Sequence, residues 1–362
     1  MNILLISPEP PPYGGIANWT AMMKDYVKNT EDVIRTIDIS PKKRATEGRT
    51  IFHRVFISGF DMFRKKHELK RKIKEERPDV IHMTTAGSLA MFRDILLLKT
   101  ARKYKIPTVY HIRFGKTRQM AENNSHMWQR FSKAMKLAGV VAAIDKNTYD
   151  AINEYVPEAK TVLVPNPINM ANLPEPAQKK KQVVFLGWVV AAKGVSELVK
   201  AWNVIGEEFP DYKLIIVGQA KQEYFEELRC AATVDNIVFT GEMKHNDAVQ
   251  LLAESKVFIL PSYTEGFPNS VLEAMALKNA VVATKVGAIP EMLADECGVL
   301  ISPRSVDEIV CALKKVLGDE EKISEMASCA FAKVNREYSI EKVYEQYKKI
   351  WNGVRGDLNE LV

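Results

Sequence analysis

The residues best equipped for chemistry are two carboxylates with seven residues between them, Glu265 and Glu273, in the stretch PSYTEGFPNSVLEAM from Pro261 to Met275. The apolar run before them, Val257-Phe258-Ile259-Leu260, has the length and composition of a strand buried in a parallel sheet. A polar loop holding Glu265 and Gly266 follows. Then come Pro268, Asn269 and Ser270, and good helix formers from Leu272 to Leu277. Ligands of open parallel sheets bind outside the carboxyl ends of the strands, so the loop and the first helical turn direct both carboxylates to one place. The helix start adds unpaired N–H groups and a partial positive charge, a seat for phosphate. Two carboxylates beside an anion seat suit a ligand with hydroxyls at both ends and a diphosphate between them, which describes a nucleotide sugar. A purely structural account competes: Ser270-Val-Leu-Glu273 also spells a capping box, with Glu273 returning to the Ser270 N–H.

The elements that must position these residues are set by the whole chain. At 362 residues and 46% hydrophobic composition it exceeds one ordinary core and implies two domains. No apolar run approaches the roughly 18 residues of a membrane helix. The start, MNILLISPEPPP, lacks the basic leader of a secretory signal, and residues 3 to 6 read as a first buried strand. Cys230, Cys297, Cys311 and Cys329 sit singly without metal spacing, which predicts reduced thiols and a cytoplasmic protein. Residues 1 to 176 carry 29 Lys and Arg against 18 Asp and Glu, and the remainder 22 against 27. That asymmetry points the first half toward something anionic. The cations are not interleaved with stacking aromatics, so a membrane surface or a phosphorylated acceptor fits better than nucleic acid.

In chain order, a strand at Asn2 to Ser7 runs into Gly14-Gly15 and a helix over Ala17 to Lys28. Paired glycines at such a turn let backbone approach a ligand closely. Thr50 to Phe63 clusters Ile51, Phe52, Val55, Phe56, Phe60 and Phe63 at helical spacing beside cations; it reads either as a core-packed helix or as one lying on anionic lipid, and Gly59 weakens both. Two strands, Pro78 to His82 and Pro107 to His111, each end in histidine, with a helix near Ala86 to Tyr104 between them. For His82 the expectation is a packed core residue. A helix over Ala121 to Leu137 and a strand at Val140 to Ile144 complete the unit. Residues 171 to 181 are polar, proline-bearing and aperiodic, hence a linker. Strands at Val183 to Leu186, Lys213 to Val217, Ile237 to Thr240, Val257 to Leu260 and Ala280 to Thr284 then alternate with helical stretches, the pattern of a second doubly wound α/β sheet.

The string PS-x-x-EGFP-x-x-x-LEAMA closely resembles the signature of glycosyltransferase family 4, retaining enzymes of the GT-B fold, and the resemblance extends over most of the chain. It implies two facing Rossmann-like domains with a cleft between them. The first is residues 1 to 170 with a returning helix at 338 to 362, and the second is residues 182 to 337. It implies a nucleotide-sugar donor, such as a UDP- or GDP-sugar, a glycan or lipid-linked acceptor in cell-surface polysaccharide synthesis, and no metal or other cofactor. The sequence holds no Asp-x-Asp loop. Catalytic roles fall on Glu265, which orients the sugar, on His111 in HIRFG, and on Lys193, which meets the diphosphate. The donor would be lined by Gly14, Gly15, Arg113, Gly187, Trp188, Gly241, Gly266, Phe267, Pro268, Asn269, Ser270, Val271 and Glu273, the last taking the ribose hydroxyls. Trp188 departs from the family, which shows arginine there. Either it plugs the arginine's volume or it offers a stacking platform, and Arg113 would supply the missing charge. A front-face reaction is implied by the family and not by spacing. A sugar-nucleotide epimerase or hydrolase, or a nucleotide-binding scaffold, are the rival readings. A peripheral contact at the inner face of the membrane follows from the charge.

Overall fold

The computed structural model describes residues 1–12, 14–40, 51–87 and 91–359, without the side chains of 51–60 and 357–359. They form two compact units, Met1–Asn166 with Val343–Val362 and Pro167–Lys342.

The first unit runs β1 (Asn2–Ser7), α1 (Gly15–Tyr26), β2 (Val33–Asp38), α2 (Ile51–Glu76), β3 (Val80–Thr85), α3 (Met91–Lys103), β4 (Thr108–Ile112), α4 (Thr117–Glu122), α5 (His126–Leu137), β5 (Val140–Ala143), α6 (Lys146–Tyr155) and β6 (Thr161–Leu163). Its six strands pair in parallel in the order β2-β1-β3-β4-β5-β6. The central strands VIHMTT, TVYHI and VVAA are buried at every position, as strands covered on both faces must be. Edge strand β2, VIRTID, alternates instead. The core on one face joins Leu4, Ile81, Met83, Tyr110, Ile112 and Phe131.

The second unit runs β7 (Lys180–Leu186), α7 (Val195–Ile205), β8 (Lys213–Val217), α8 (Gln222–Ala231), β9 (Ile237–Gly241), α9 (His245–Ala253), β10 (Ser255–Leu260), α10 (Asn269–Ala276), β11 (Ala280–Thr284), α11 (Ile289–Met292), β12 (Val299–Ile301), α12 (Val306–Leu317) and α13 (Glu320–Lys333). Its parallel strand order is β12-β11-β10-β7-β8-β9. The closing helix, α14 (Ile340–Asn359), belongs to the first unit from Val343 onward.

Three local expectations are corrected. The helix read over Ala121 to Leu137 is two helices, because Asn124 sits at φ 38°, a left-handed conformation asparagine tolerates. His82 is not at a strand end but third in a six-residue strand. The four cysteines are not all single: Cys297 and Cys329 form a disulfide, and Cys230 and Cys311 stay free. In the basic block, α2 continues through Gly59 to Glu76. Its apolar positions from Ile51 to Phe60 lie outside the described side chains, whereas Phe63 is exposed. Among the described residues no helix is long and apolar enough to cross a membrane.

Candidate functional site

In the second sheet the chain adds β8 and β9 outward from β7, then returns to place β10 on β7's other side. Such a reversal leaves a crevice at the carboxyl ends of the two central strands, the position where open sheets bind ligands. The loops after β7 and β10 carry Gly187 to Gly194 and Pro261 to Pro268. Gly194 has φ 69°, and a Cβ built on it would lie 2.1 Å from the Pro261 carbonyl oxygen. Glycine is therefore what lets the two loops meet. The Tyr263 N–H donates to the Ala192 carbonyl at 2.9 Å, fastening them together. The outcome is an ion pair, with Lys193 Nζ 2.6 Å from Glu265 Oε1 and the carboxylate only 10% exposed. From behind, Gly287 at φ 57° approaches so closely that a Cβ would lie 2.4 Å from the Gly266 carbonyl oxygen, and the Ala288 N–H donates to that oxygen at 2.8 Å.

Helix α10 begins at Asn269 with Pro268 as its cap, and the Pro268 side chain makes no cap bond. Ser270 is thus inside the first turn, and the capping box is not formed. Glu273 is left without that use. Burial pushes its carboxyl up to about 7, and His245 Nε2, at the start of α9, lies 3.7 Å from Oε1. Burial also lowers the His245 imidazole. Of the other α10 positions, Val271 is fully buried and Pro268 is buried, whereas Asn269 and Ser270 are half-exposed. Phe267 packs edge-on against Tyr338 at 5.6 Å between centroids, which braces the loop from within. Gly241 ends edge strand β9 at φ 72° with open space beside it.

Trp188 is 68% exposed, so it plugs nothing. The cause is local. Gly187 and Val189 donate to the carbonyls of Val217 and Gln219, and the extended alternation buries Val189 while turning Trp188 outward.

In the first unit, Gly14 and Gly15 are exposed at the start of α1, Gly14 being extended at φ 175° with open space where a side chain would stand. Arg113 follows β4 but is enclosed. Its Nη2 donates to Asn166 Oδ1 at 2.6 Å, its guanidinium lies 4.5 Å over the Trp19 ring, and Nη1 is buried with no hydrogen-bond partner among the described residues. Burial brings its pKa down to about 10. His111 is wholly buried in β4, with its Nδ1 3.1 Å from His82 Nε2 and its own Nε2 unpartnered among the described residues. Trp351, on α14, donates its Nε1–H to His82 Nδ1 at 3.0 Å. Sequence alone predicts only packing for His82 and no role for Trp351. The available signal was that neighbouring parallel strands β3 and β4 each carry a histidine on the same face.

Comparison with known proteins agrees with this architecture. The family profile described as Glycosyltransferase Family 4 matches residues 31–172, and that described as Glycosyl transferases group 1 matches residues 170–332. An uncharacterized glycosyltransferase of Haemophilus influenzae is 24% identical over 80% of this chain and 81% of its own. A putative teichuronic acid biosynthesis glycosyltransferase, TuaC of Bacillus subtilis, is 22% identical over 77% of this chain and 72% of its own. Among solved structures, sucrose-phosphate synthase from Thermosynechococcus elongatus superposes with TM-score 0.76 at 16% identity, covering 98% of this chain and 99% of its own. Anabaena HepE in complex with UDP does so with TM-score 0.75 at 17% identity, covering 98% and 100%. These likenesses show the GT-B fold.

Proposed function

The chain is a glycosyltransferase of the family 4 and group 1 type, acting in polysaccharide-related synthesis, and from that premise we propose that it moves a sugar from a nucleotide-sugar donor to a glycan or lipid-linked acceptor with retention at the anomeric carbon. The observation that carries this reading is the Lys193–Glu265 pair at the reversal of the second sheet, with Glu273 in the helix that follows. Lys193 and the N–H groups at the start of α10 meet the charge of the diphosphate. Glu265 accepts hydrogen bonds from sugar hydroxyls, and Glu273 from the ribose hydroxyls. HepE, a structural neighbour, is solved with UDP and with UDP-glucose, which supports a diphosphonucleoside sugar in this fold.

In the reaction, the bond between the anomeric carbon and the leaving phosphate oxygen breaks as the acceptor oxygen bonds to that carbon on the same face. The acceptor's proton passes to the departing phosphate. Lys193 stabilises the charge that builds there, and His111 assists at the sugar. The family resemblance implies that this proceeds without a metal; turnover unchanged by EDTA is the expected result. The basic first half, which includes α2, supports docking of the enzyme at an anionic membrane that carries a lipid-linked acceptor. Vesicle sedimentation tests that part, with pelleting expected on anionic vesicles and not on neutral ones.

The decisive experiment is a screen of UDP- and GDP-sugars for release of the nucleotide, with and without acceptor extracts, followed by NMR of the product's anomeric configuration. Transfer with retention supports the reading. Free epimerised sugar without acceptor would make the protein an epimerase instead, and nucleotide binding without any turnover would make it a scaffold.

A further inference from the structure

The hydrogen bonds around His111 fix more than its position. An indole N–H can only donate. Because Trp351 Nε1 donates to His82 Nδ1 at 3.0 Å, that nitrogen is an acceptor and carries no proton. A neutral imidazole protonated on one nitrogen only then holds its proton on Nε2, and the neighbour of His82 Nε2, at 3.1 Å, is His111 Nδ1. His82 donates, His111 Nδ1 accepts, and the remaining proton of His111 is forced onto Nε2. The three residues form a one-way chain: Trp351 to His82 to His111. A charged His82 would set two donors against each other. Burial, with the Arg113 charge, accordingly holds His82 at about 3, and the same causes hold His111 well below the ordinary histidine range.

The end of this chain is a group of buried polar atoms with unmet needs. His111 Nε2, Arg113 Nη1, Trp19 Nε1 and the Tyr347 hydroxyl are all buried without a hydrogen-bond partner among the described residues. Their side chains are neighbours: the Trp19 and His111 rings lie 5.6 Å apart, His111 and Tyr347 5.9 Å, Trp19 and Tyr347 5.8 Å, and Arg113 stacks on Trp19. Arg113 and Trp19 both direct hydrogen bonds at the Tyr347 hydroxyl, which tempers the rise that burial gives its pKa, but neither bond reaches full hydrogen-bond geometry, so two donors compete for one oxygen. Three of the four are N–H donors once the tautomer is set, and Tyr347 offers the one oxygen. Donors left in excess inside a protein are costly, and what they lack is an acceptor oxygen.

We propose that His82 and Trp351 are positioning residues, which hold His111 in its neutral Nε2-protonated form so that it joins Arg113 as a hydrogen-bond donor to a substrate oxygen. This rests on the glycosyl-transfer reading for its consequence in turnover, but not for the tautomer itself. The chain also explains why α14 returns to the first sheet, since the closing helix supplies the donor that orders the proton, and with it Tyr347.

The test uses the full-length protein with 15N-labelled histidine. Long-range 1H–15N spectra are expected to show His111 with its proton on Nε2, the signal being assigned by its loss in His111→Asn. His82→Leu keeps the volume and breaks the chain. His82→Gln offers an amide oxygen to Trp351 and an amide N–H to His111, so it preserves the direction. Trp351→Phe removes the first donor and, with it, part of a fully buried ring that stacks on Tyr347. In His82→Leu and Trp351→Phe the His111 signal should divide between both tautomers. Turnover of the donor identified by the nucleotide-sugar screen should fall roughly 10- to 100-fold, short of the loss for removing a donor outright. UDP affinity, read by calorimetry, should stay unchanged, and His82→Gln should recover most of the loss. A proton on Nδ1 of His111 in the wild type overturns the proposal. So does a His82→Leu protein with the wild-type tautomer and turnover, or a His82→Gln as impaired as His82→Leu. If the wild type turns over no nucleotide sugar, the glycosyl-transfer reading fails on its own, and the spectra still decide the tautomer.

Discussion

Lys193 Nζ and Glu265 Oε1 are 2.6 Å apart, so the cation proposed for the diphosphate is held by the carboxylate proposed for the sugar. A bound diphosphate therefore competes with Glu265 for Lys193. Replacing Glu265 with Gln removes the competitor and one negative charge near the phosphates. Affinity for bare UDP should rise by about 2- to 10-fold, the worth of a weak, partly exposed pair, while turnover should drop at least roughly 100-fold because sugar orientation is lost. Lys193→Gln should weaken UDP instead. Calorimetry and a nucleotide-release assay read the two effects separately; a Glu265→Gln protein that binds UDP worse and turns over normally would reverse the assignment.

Glu273 should make both stability and nucleotide affinity depend on pH. Burial raises its carboxyl from an ordinary 4.5 to about 7. The folded state thus favours the protonated form; that contribution is complete below about pH 4.5 and is lost as pH rises through 7. The Tm of Glu273→Gln should accordingly gain on the wild type between about pH 5 and pH 8 and end above it. Ribose hydroxyls donate to the ionised form, so wild-type UDP affinity should strengthen from about pH 6 to pH 8, whereas Glu273→Gln should bind weakly and flatly. The neighbouring His245 is lowered by its own burial, so it adds stability as pH rises toward 6.5 in wild type and Glu273→Gln alike and cancels in their comparison. Thermal melts and calorimetry across pH check both signs, and parallel wild-type and Gln curves would refute the assignment.

What the sequence revealed depended on how local the determinant was. Strands such as Val257 to Leu260 and Ala280 to Thr284 announce themselves as apolar runs because parallel central strands are covered on both faces. β2 and β12 went unread for the complementary reason: VIRTID is a half-exposed edge with alternating charge, and VLI is three residues long. The Lys193 and Glu265 candidates could be named from spacing and resemblance, but their ion pair needs β7 beside β10, a fact of topology. The capping-box alternative failed because the helix is capped at Pro268, two residues before Ser270, which leaves Ser270 inside the first turn. The disulfide joins cysteines 32 apart in sequence, and the Trp351–His82 bond joins residues 269 apart. No window of sequence contains either.

Arg113 should behave as a residue kept at a cost. Its pKa is lowered to about 10 from 12.5 by burial, so at neutral pH its charge is less favourable in the folded protein than in water. The Asn166 bond and the Trp19 stack do not fully offset this. Arg113→Met should therefore leave the Tm equal or higher, while turnover falls by more than about tenfold through loss of a charged donor. A protein that melts several degrees lower yet keeps its activity would place Arg113 in the fold and not in the reaction.

Trp188 stands where the resemblance to the family leads one to expect arginine, and its 68% exposure makes it the residue whose loss should be felt by ligand alone. Of the five tryptophans, Trp19, Trp128, Trp202 and Trp351 are buried at 5% exposure or less, against 68% for Trp188. Acrylamide should quench Trp188 almost exclusively, and a nucleotide sugar that covers its ring should protect it. Trp188→Ala should leave the Tm within experimental scatter, because a mostly hydrated side chain contributes little packing. The same change should weaken the nucleotide sugar about 2- to 10-fold relative to bare UDP, the range expected for one stacking contact of roughly 0.5–1.5 kcal/mol. Trp188→Arg tests the complementary point. If charge on the leaving diphosphate limits the rate, a second cation beside Lys193 should raise turnover, since it acts most on charge that develops as the bond breaks. If Trp188→Ala leaves sugar affinity and quenching protection untouched, the exposed ring is no platform. If Trp188→Arg also brings no gain, the arginine's absence costs this enzyme nothing, and the diphosphate charge is already met by other groups, Lys193 and the start of α10 first among them.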